Sequence, residues 1–146
     1  MKSKVAIIIP CYKAKNKVGN FLDNLILLSS KFVNICDITF FLIDDCCPHK
    51  SYKEIVQSDS IILINNTKNL GVGASSLIGF KKALQLGNEI FIKMDADGQH
   101  PADYLEELIP YLIGLPKNEL ILVKGTRYHL PIKNSKTPFT RRLGSF

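Results

Sequence analysis

Val5-Ala-Ile-Ile-Ile-Pro10 is a run of five apolar residues, four of them β-branched, halted by a proline. A run with no polar alternation is how a strand buried on both faces of a parallel sheet reads. It makes the first element a central strand. Beyond the polar loop Lys13 to Lys17, the residues Val18, Phe21, Leu22, Leu25 and Leu28 fall at helical spacing, so the opening unit is strand, loop, helix.

The unit recurs down the chain. Ile38 to Ile43 reads as a second buried strand closed by Asp44 and Asp45, followed by a short helix over 51–57 and a third strand over Ser60 to Ile64. Asn65 to Asn69 and two glycines lead into a helix with Ala74, Leu77, Ile78, Lys81 and Leu84 in register, ended by Gly87 as its C-cap. Glu89 to Met94 is the fourth strand. Asp95 to His100 is a polar loop, Pro101 suits a first helical turn, and Tyr104, Leu105, Leu108, Ile109 and Leu112 supply the buried face of the helix that follows. Glu119 to Val123 is expected as a fifth strand. Strands alternating with helices over short connections predict an α/β fold, an open, mostly parallel, Rossmann-like sheet with helices on both faces. Ligands bind such sheets beyond the carboxyl ends of the strands, which predicts that Pro10 to Lys13, Asp44 to Cys47 and Asp95 to Gln99 share one rim.

The chain has 146 residues, 46% of them hydrophobic, enough for one domain with a sizeable core. No apolar run approaches the roughly 20 residues of a membrane-spanning helix, and the N-terminus lacks a signal-peptide pattern. The net charge of +6 is lopsided: residues 1–119 hold 13 Lys and Arg against 13 Asp and Glu, and the excess is Lys124, Arg127, Lys133, Lys136, Arg141 and Arg142. That segment suits either a solvated tail or contact with phosphates or an anionic membrane surface. Cys11, Cys36, Cys46 and Cys47 show no C-x-x-C spacing, which points to reduced, cytosolic thiols, and His49, His100 and His129 do not complete a zinc site with them.

Three groups of residues can carry chemistry. Asp95-Ala-Asp97 follows a strand directly, and hard carboxylate oxygens suit magnesium or manganese held together with substrate phosphates, with Gln99 as a further oxygen donor; the same residues also suit a plain turn. Asp44-Asp45 ends the second strand, where an acid either caps a turn or accepts hydrogen bonds from a ribose or nucleobase. In Asn69-Leu-Gly-Val-Gly-Ala74 two glycines at a helix entrance allow close approach of a ligand or tight helix packing, and the missing third glycine argues against a nicotinamide cofactor.

Together these pieces resemble the inverting, GT-A-fold glycosyltransferases of family 2, in particular the branch of dolichyl-phosphate mannose synthases and their bacterial relatives. The matching stretches stand in the family's order: Val5 to Tyr12, Phe41 to Asp45, Asn69 to Ser75 and Lys93-Met-Asp-Ala-Asp-Gly-Gln-His-Pro101, within roughly the first 128 residues. The resemblance implies transfer of a sugar from a nucleoside-diphosphate sugar to a glycan or lipid-phosphate acceptor, as in polysaccharide biosynthesis. Pro10 and Tyr12 then flank the nucleotide, Asp44 and Asp45 stand at the donor site with Asp45 on the base, and Asn69 and Gly73 shape the nucleotide wall. Asp95 hydrogen-bonds the donor's ribose or sugar, while Asp97 and Gln99 hold a divalent Mg2+ or Mn2+ on the diphosphate. The chain departs from the family at Lys13, where Asn is common, and at Cys46-Cys47, which replace small polar residues.

The implied organisation is a nucleotide-sugar-binding domain over 1–128 and a basic linker over 129–146 that starts the acceptor side and is cut short. The family's general base lies in a later segment, so the expectation is a donor-binding fragment with weak turnover or none. Its partners are then the donor, the glycan or lipid-phosphate acceptor and, peripherally, the cytoplasmic face of the membrane, but no nucleic acid. Two rivals share the acidic rim. A phospho-accepting receiver domain carries its acid pair after the first strand, whereas here it follows the second. A nucleotidyltransferase needs a Gly-rich basic loop after the first strand, which Pro10-Cys-Tyr12 is not.

Overall fold

A computed structural model describes residues 2–14, 18–50, 53, 55, 57–96, 103–117 and 120–123. Met1–Leu115 forms one compact unit and Pro116–Phe146 a second. In the first, the elements run β1 (Ser3–Cys11), α1 (Val18–Ser29) with a 3-10 turn over Ser30–Phe32, β2 (Cys36–Asp44), β3 (Ile61–Asn65), α2 (Val72–Gln85), β4 (Ile90–Lys93) and α3 (Tyr104–Ile113). The four strands form one sheet in the order β3-β2-β1-β4, and every pairing is parallel. This is the open parallel α/β arrangement that the strand and helix patterns anticipate.

β1 is central, as its composition requires: Val5 to Ile9 are all fully buried. Alternation along the strand sends Val5, Ile7 and Ile9 into one core with Phe40, Leu42, Leu25 of α1, and Leu105 and Ile109 of α3. Ala6 and Ile8 go to the opposite core with Phe41, Ile43 and Ala83 of α2. The expected stripe Val18, Phe21, Leu22, Leu25 and Leu28 is the buried face of α1.

α2 corrects the sequence reading. Leu77 and Leu84 are exposed, as are Ala74 and Lys81, and Ile78 is half-buried; the face against the sheet is Ser75, Ser76, Gly79 and Ala83. The cause is proximity. A Cβ built on Gly79 lies 2.7 Å from both Ile43 Cδ1 and Ile8 Cγ2, so the helix lies so low on the sheet that only small residues fit beneath it. α2 ends as expected, with Gly87 in the left-handed region at φ 77 and its N–H on the Leu84 carbonyl at 2.9 Å.

Two further expectations meet the structure differently. Leu120 to Val123 pair with no strand among the described residues, and Leu120 and Leu122 are fully exposed. A short apolar run becomes a strand only when a ladder partner takes its backbone groups. The short helix over 51–57 falls mostly outside the described residues, as does Pro101.

Gly79→Ala is expected to lower stability by about 1–2 kcal/mol by overpacking, despite the roughly 1 kcal/mol by which alanine favours a helix. Urea unfolding of the two proteins measures it, and a more stable alanine variant would contradict the close approach of α2.

Candidate functional site

The cleft arises where the strand order reverses. From β1 the chain steps outward through β2 to β3 and then returns to place β4 on the other side of β1, so β1 and β4 flank the switch point at which open α/β sheets bind ligands. Pro10 helps to open it. The Met94 N–H reaches the Ile8 carbonyl at 3.0 Å, while the Asp45 N–H reaches that of Cys11 at 3.0 Å. Backbone groups alternate sides along a strand, so Pro10, like Ile8, faces β4, and there it has no N–H to continue the ladder. The β1–β4 pairing accordingly stops at Ile8 and Lys93.

Beyond that point lies a cleft of about 360 Å³, lined by Pro10 to Ala14, Asp45, Asn69, Gly71, Val72, Asp95 and Ala96. Of the candidate residues, Pro10, Tyr12, Asp45, Asn69 and Asp95 are therefore brought together. Asp44 is buried and does not line the cleft, and Gly73 is exposed at the start of α2 while Gly71 and Val72 face the opening. Asp97 and Gln99 lie outside the described residues.

The two adjacent acids have opposite surroundings. Asp45 Oδ1 accepts the Asn66 amide at 2.9 Å and the Leu70 N–H at 2.8 Å, and Oδ2 accepts the Gly71 N–H at 2.8 Å. Asn66 also donates to the Ser75 hydroxyl at 3.0 Å. Burial disfavours the Asp45 charge, but Asn66, Leu70, Ser75 and Gly71 outweigh it and hold the carboxyl below its ordinary value. The carboxylate thus ties β2 to the entrance of α2, where the helix dipole favours negative charge. Asp44 has one bond, from the Cys47 N–H to Oδ2 at 3.2 Å, and its buried Oδ1 has no partner among the described residues. Burial raises its pKa, the Cys47 N–H opposes that rise, and the Asp45 charge adds to it. Beside it the buried Cys11 thiol is pushed up to about 12 by burial and by the charges of Asp44 and Cys47, so it is an inert neutral group.

On the β4 side, Lys93 Nζ holds Asp95 Oδ1 at 2.6 Å. Asp95 offers the cleft a hard oxygen donor of the kind that Mg2+ and Mn2+ take. Among the described residues no group of three or more His, Cys, Asp or Glu is placed to hold a metal, and Asp97 and Gln99 lie outside those residues. Cys11, Ala14, Gly71, Val72 and Ala96 are lining residues that the sequence reading did not name as site residues. So is Lys13, and Asn66 is the unnamed support of Asp45. Their only signal in the sequence was position, each standing just beyond a strand end or at the α2 entrance.

Comparison with known proteins identifies the family and the fold. The family model of glycosyl transferase family 2 matches residues 6–142. The UDP-N-acetylglucosamine–dolichyl-phosphate N-acetylglucosaminyltransferase of Methanococcus voltae is 27% identical over 157 residues, which cover 97% of this chain and 59% of that protein. The dolichol-phosphate mannosyltransferase of Pyrococcus furiosus is 32% identical over 146 residues, covering 96% of this chain and 38% of that protein. The chain thus spans less than two thirds of either relative. The crystal structure of S. aureus TarS 1-349 superposes with a TM-score of 0.53 at 17% identity, covering 77% of this chain and 32% of that one, and so shares the fold.

Asp45→Asn turns an amide N–H2 toward the Gly71 N–H and is expected to cost about 2 kcal/mol at pH 7. Because the folded pKa of Asp45 is lowered, its contribution is full above the ordinary carboxyl value of 3.8 and fades as pH falls through the folded pKa. The gap between wild type and variant therefore narrows below about pH 4. Asp44→Asn keeps an oxygen for Cys47 and removes a buried charge, so it should change stability by less than about 1 kcal/mol. Denaturant titrations at pH 7 and pH 3 test both, and equal costs at the two positions would refute the assignment.

Proposed function

The chain belongs to glycosyl transferase family 2, and on that footing we propose that it is the donor-binding part of an inverting glycosyltransferase. The sugar leaves a nucleoside-diphosphate donor for a lipid-phosphate or glycan acceptor. The observation that carries the reading is the cleft at the β1–β4 switch point, which collects Pro10, Tyr12, Asp45, Asn69 and Asp95 from four separate stretches of sequence. Both relatives carry a dolichol phosphate in their names while differing in the sugar, which favours a lipid phosphate as acceptor. The receiver and nucleotidyltransferase readings gain nothing from these relatives.

In this reading the nucleotide lies across Tyr12 and Asn69, with Asp45 at the base side, Asp44 beneath it and Gly71 and Val72, rather than Gly73, in the wall. Asp95 positions the ribose or sugar. A Mg2+ or Mn2+ held by Asp97 and Gln99 would stabilise the charge on the departing nucleoside diphosphate. Displacement at the sugar carbon from the face opposite the leaving group inverts it. A phosphomonoester acceptor is largely ionised at neutral pH, its second pKa being about 6, so its oxygen attacks without a base to remove a proton. A glycan hydroxyl needs one. Residues 1–128 would form the donor domain and the basic stretch 129–146 would lead to the acceptor, with Arg127 just before that stretch and Arg141 and Arg142 within it suited to phosphate. No helix among the described residues is long and apolar enough to cross a membrane; action from the cytosol at the membrane face is part of the same proposal.

Thermal unfolding with Mn2+ and UDP, GDP or dTDP, in wild type and Asp97→Ala, tests the proposal. A ligand at 100 times its dissociation constant adds about 2.7 kcal/mol, a shift of several degrees in a domain of this size. The expected result is a metal-dependent shift for one nucleotide that Asp97→Ala abolishes. No shift with any of them would overturn the donor-site reading.

A further inference from the structure

The acids of the cleft are matched by described residues, whereas its lysine forms no ion pair with one. Asp45 is held by Asn66, Leu70 and Gly71, and Asp95 by Lys93. Lys13 is the only cation among the described residues that line the cleft, and its ammonium makes no ion pair with a described residue, lying instead 5.3 Å from the centroid of the Tyr12 ring. The side chain is exposed, as is Tyr12, at 45%. Its backbone sits in the left-handed region at φ 53, uncommon for a non-glycine residue, and its N–H is directed to Cys47 Sγ at 3.3 Å. The turn after β1 is thus tied to the turn after β2, and it places an exposed ammonium at the mouth of the cleft beside an aromatic face.

We infer that Lys13 binds the diphosphate of the nucleotide donor. The inference rests on the donor-site reading above. An ammonium on a four-carbon stem can leave the Tyr12 ring for a phosphoryl oxygen and form a charge-assisted hydrogen bond there, and a cation–π contact at an exposed site is weak enough to be exchanged for it. The ring is then free to stack on the base while the ammonium neutralises part of the phosphate charge. Lys13 therefore discriminates nucleoside diphosphates from nucleosides, and it gives the chain some affinity for the diphosphate before any metal binds.

The test is calorimetric titration of the whole chain with UDP and GDP, with uridine and guanosine, and with a water-soluble short-chain prenyl phosphate, each in Mn2+ and in EDTA. Wild type is compared with Lys13→Met, which keeps the stem and bears the same backbone cost, and with Lys13→Arg, which keeps the charge. The preferred diphosphate is expected to bind Lys13→Met about tenfold more weakly, the size of one charge-assisted hydrogen bond. Its nucleoside should change less than twofold, its salt dependence should flatten, and Lys13→Arg should restore most of the affinity. Equal losses for nucleoside and diphosphate, or no loss for the diphosphate, would overturn the inference while leaving the donor site intact. A loss confined to the prenyl phosphate would reassign Lys13 to the acceptor. Wild type that binds no diphosphate at all would overturn the donor-site reading itself.

Discussion

β1 has lost water from both faces and has a neighbour on each edge, and most of the molecule follows from that confinement. Its residues Val5 to Ile9 are fully buried, so helices must cover both sides, and they do, with α1 and α3 on one and α2 on the other. A central strand from which the chain first moves one way and later the other leaves a gap at its carboxyl end, because the connections depart on opposite faces. Pro10 sits in that gap with its nitrogen toward β4, and the ladder ends there. The place of the cleft is thus a consequence of topology and of one missing N–H, and the residues that line it are those the chain happens to carry in the next few positions after each strand.

What the rim residues do depends on how each is partnered. Asp44 and Asp45 are adjacent and both almost fully buried, yet one is pushed away from ionisation and the other toward it. The difference is in donors. Asp45 meets backbone N–H groups that a helix entrance leaves without partners, whereas Asp44 points back beneath the sheet's end, toward Cys11 and Cys47. A carboxylate engaged by three donors retains little capacity for a ligand beyond its fourth lone pair. Asp45 therefore shapes the cleft at least as much as it can contact what enters.

The parallel sheet with β1 at its centre, and the part of the rim formed by Pro10 to Lys13, Asp45, Asp95 and Ala96, were legible because both rest on long apolar runs and on general rules of parallel sheets. α1 was legible for the same reason: its apolar residues are its buried residues. α2 was misread because its packing distance, set by Ile8 and Ile43 meeting Gly79, selects for small residues, and a search for large apolar side chains finds the opposite face. The run at Leu120 to Val123 looked like a strand because apolar composition says nothing of whether a ladder partner is present. Within the cleft, Tyr12 and Asp95 could be named from motif position. Gly71 could be named only as part of the glycine stretch, and Asn66 not as a site residue, since their hold on Asp45 exists only once the turn after β3 closes on it.

The same turn geometry bears on how a cleft with acidic walls can receive an anion. Asp45 and Asp95 would repel a diphosphate if their charges faced the opening unopposed. Instead the N–H groups at the entrance of α2 and the Lys93 ammonium lie against them, so each carboxylate reaches the cleft already compensated. The positive charge of Lys13 then stands without an ion pair among the described residues, and the field at the mouth is more favourable to phosphate than a count of charged side chains suggests. A chain with acids in the same positions, but with their partners removed, would present the same motif and a repulsive site. On the donor-site proposal, the fit of this rim to a nucleoside diphosphate thus depends on hydrogen bonds behind the carboxylates as much as on the carboxylates themselves.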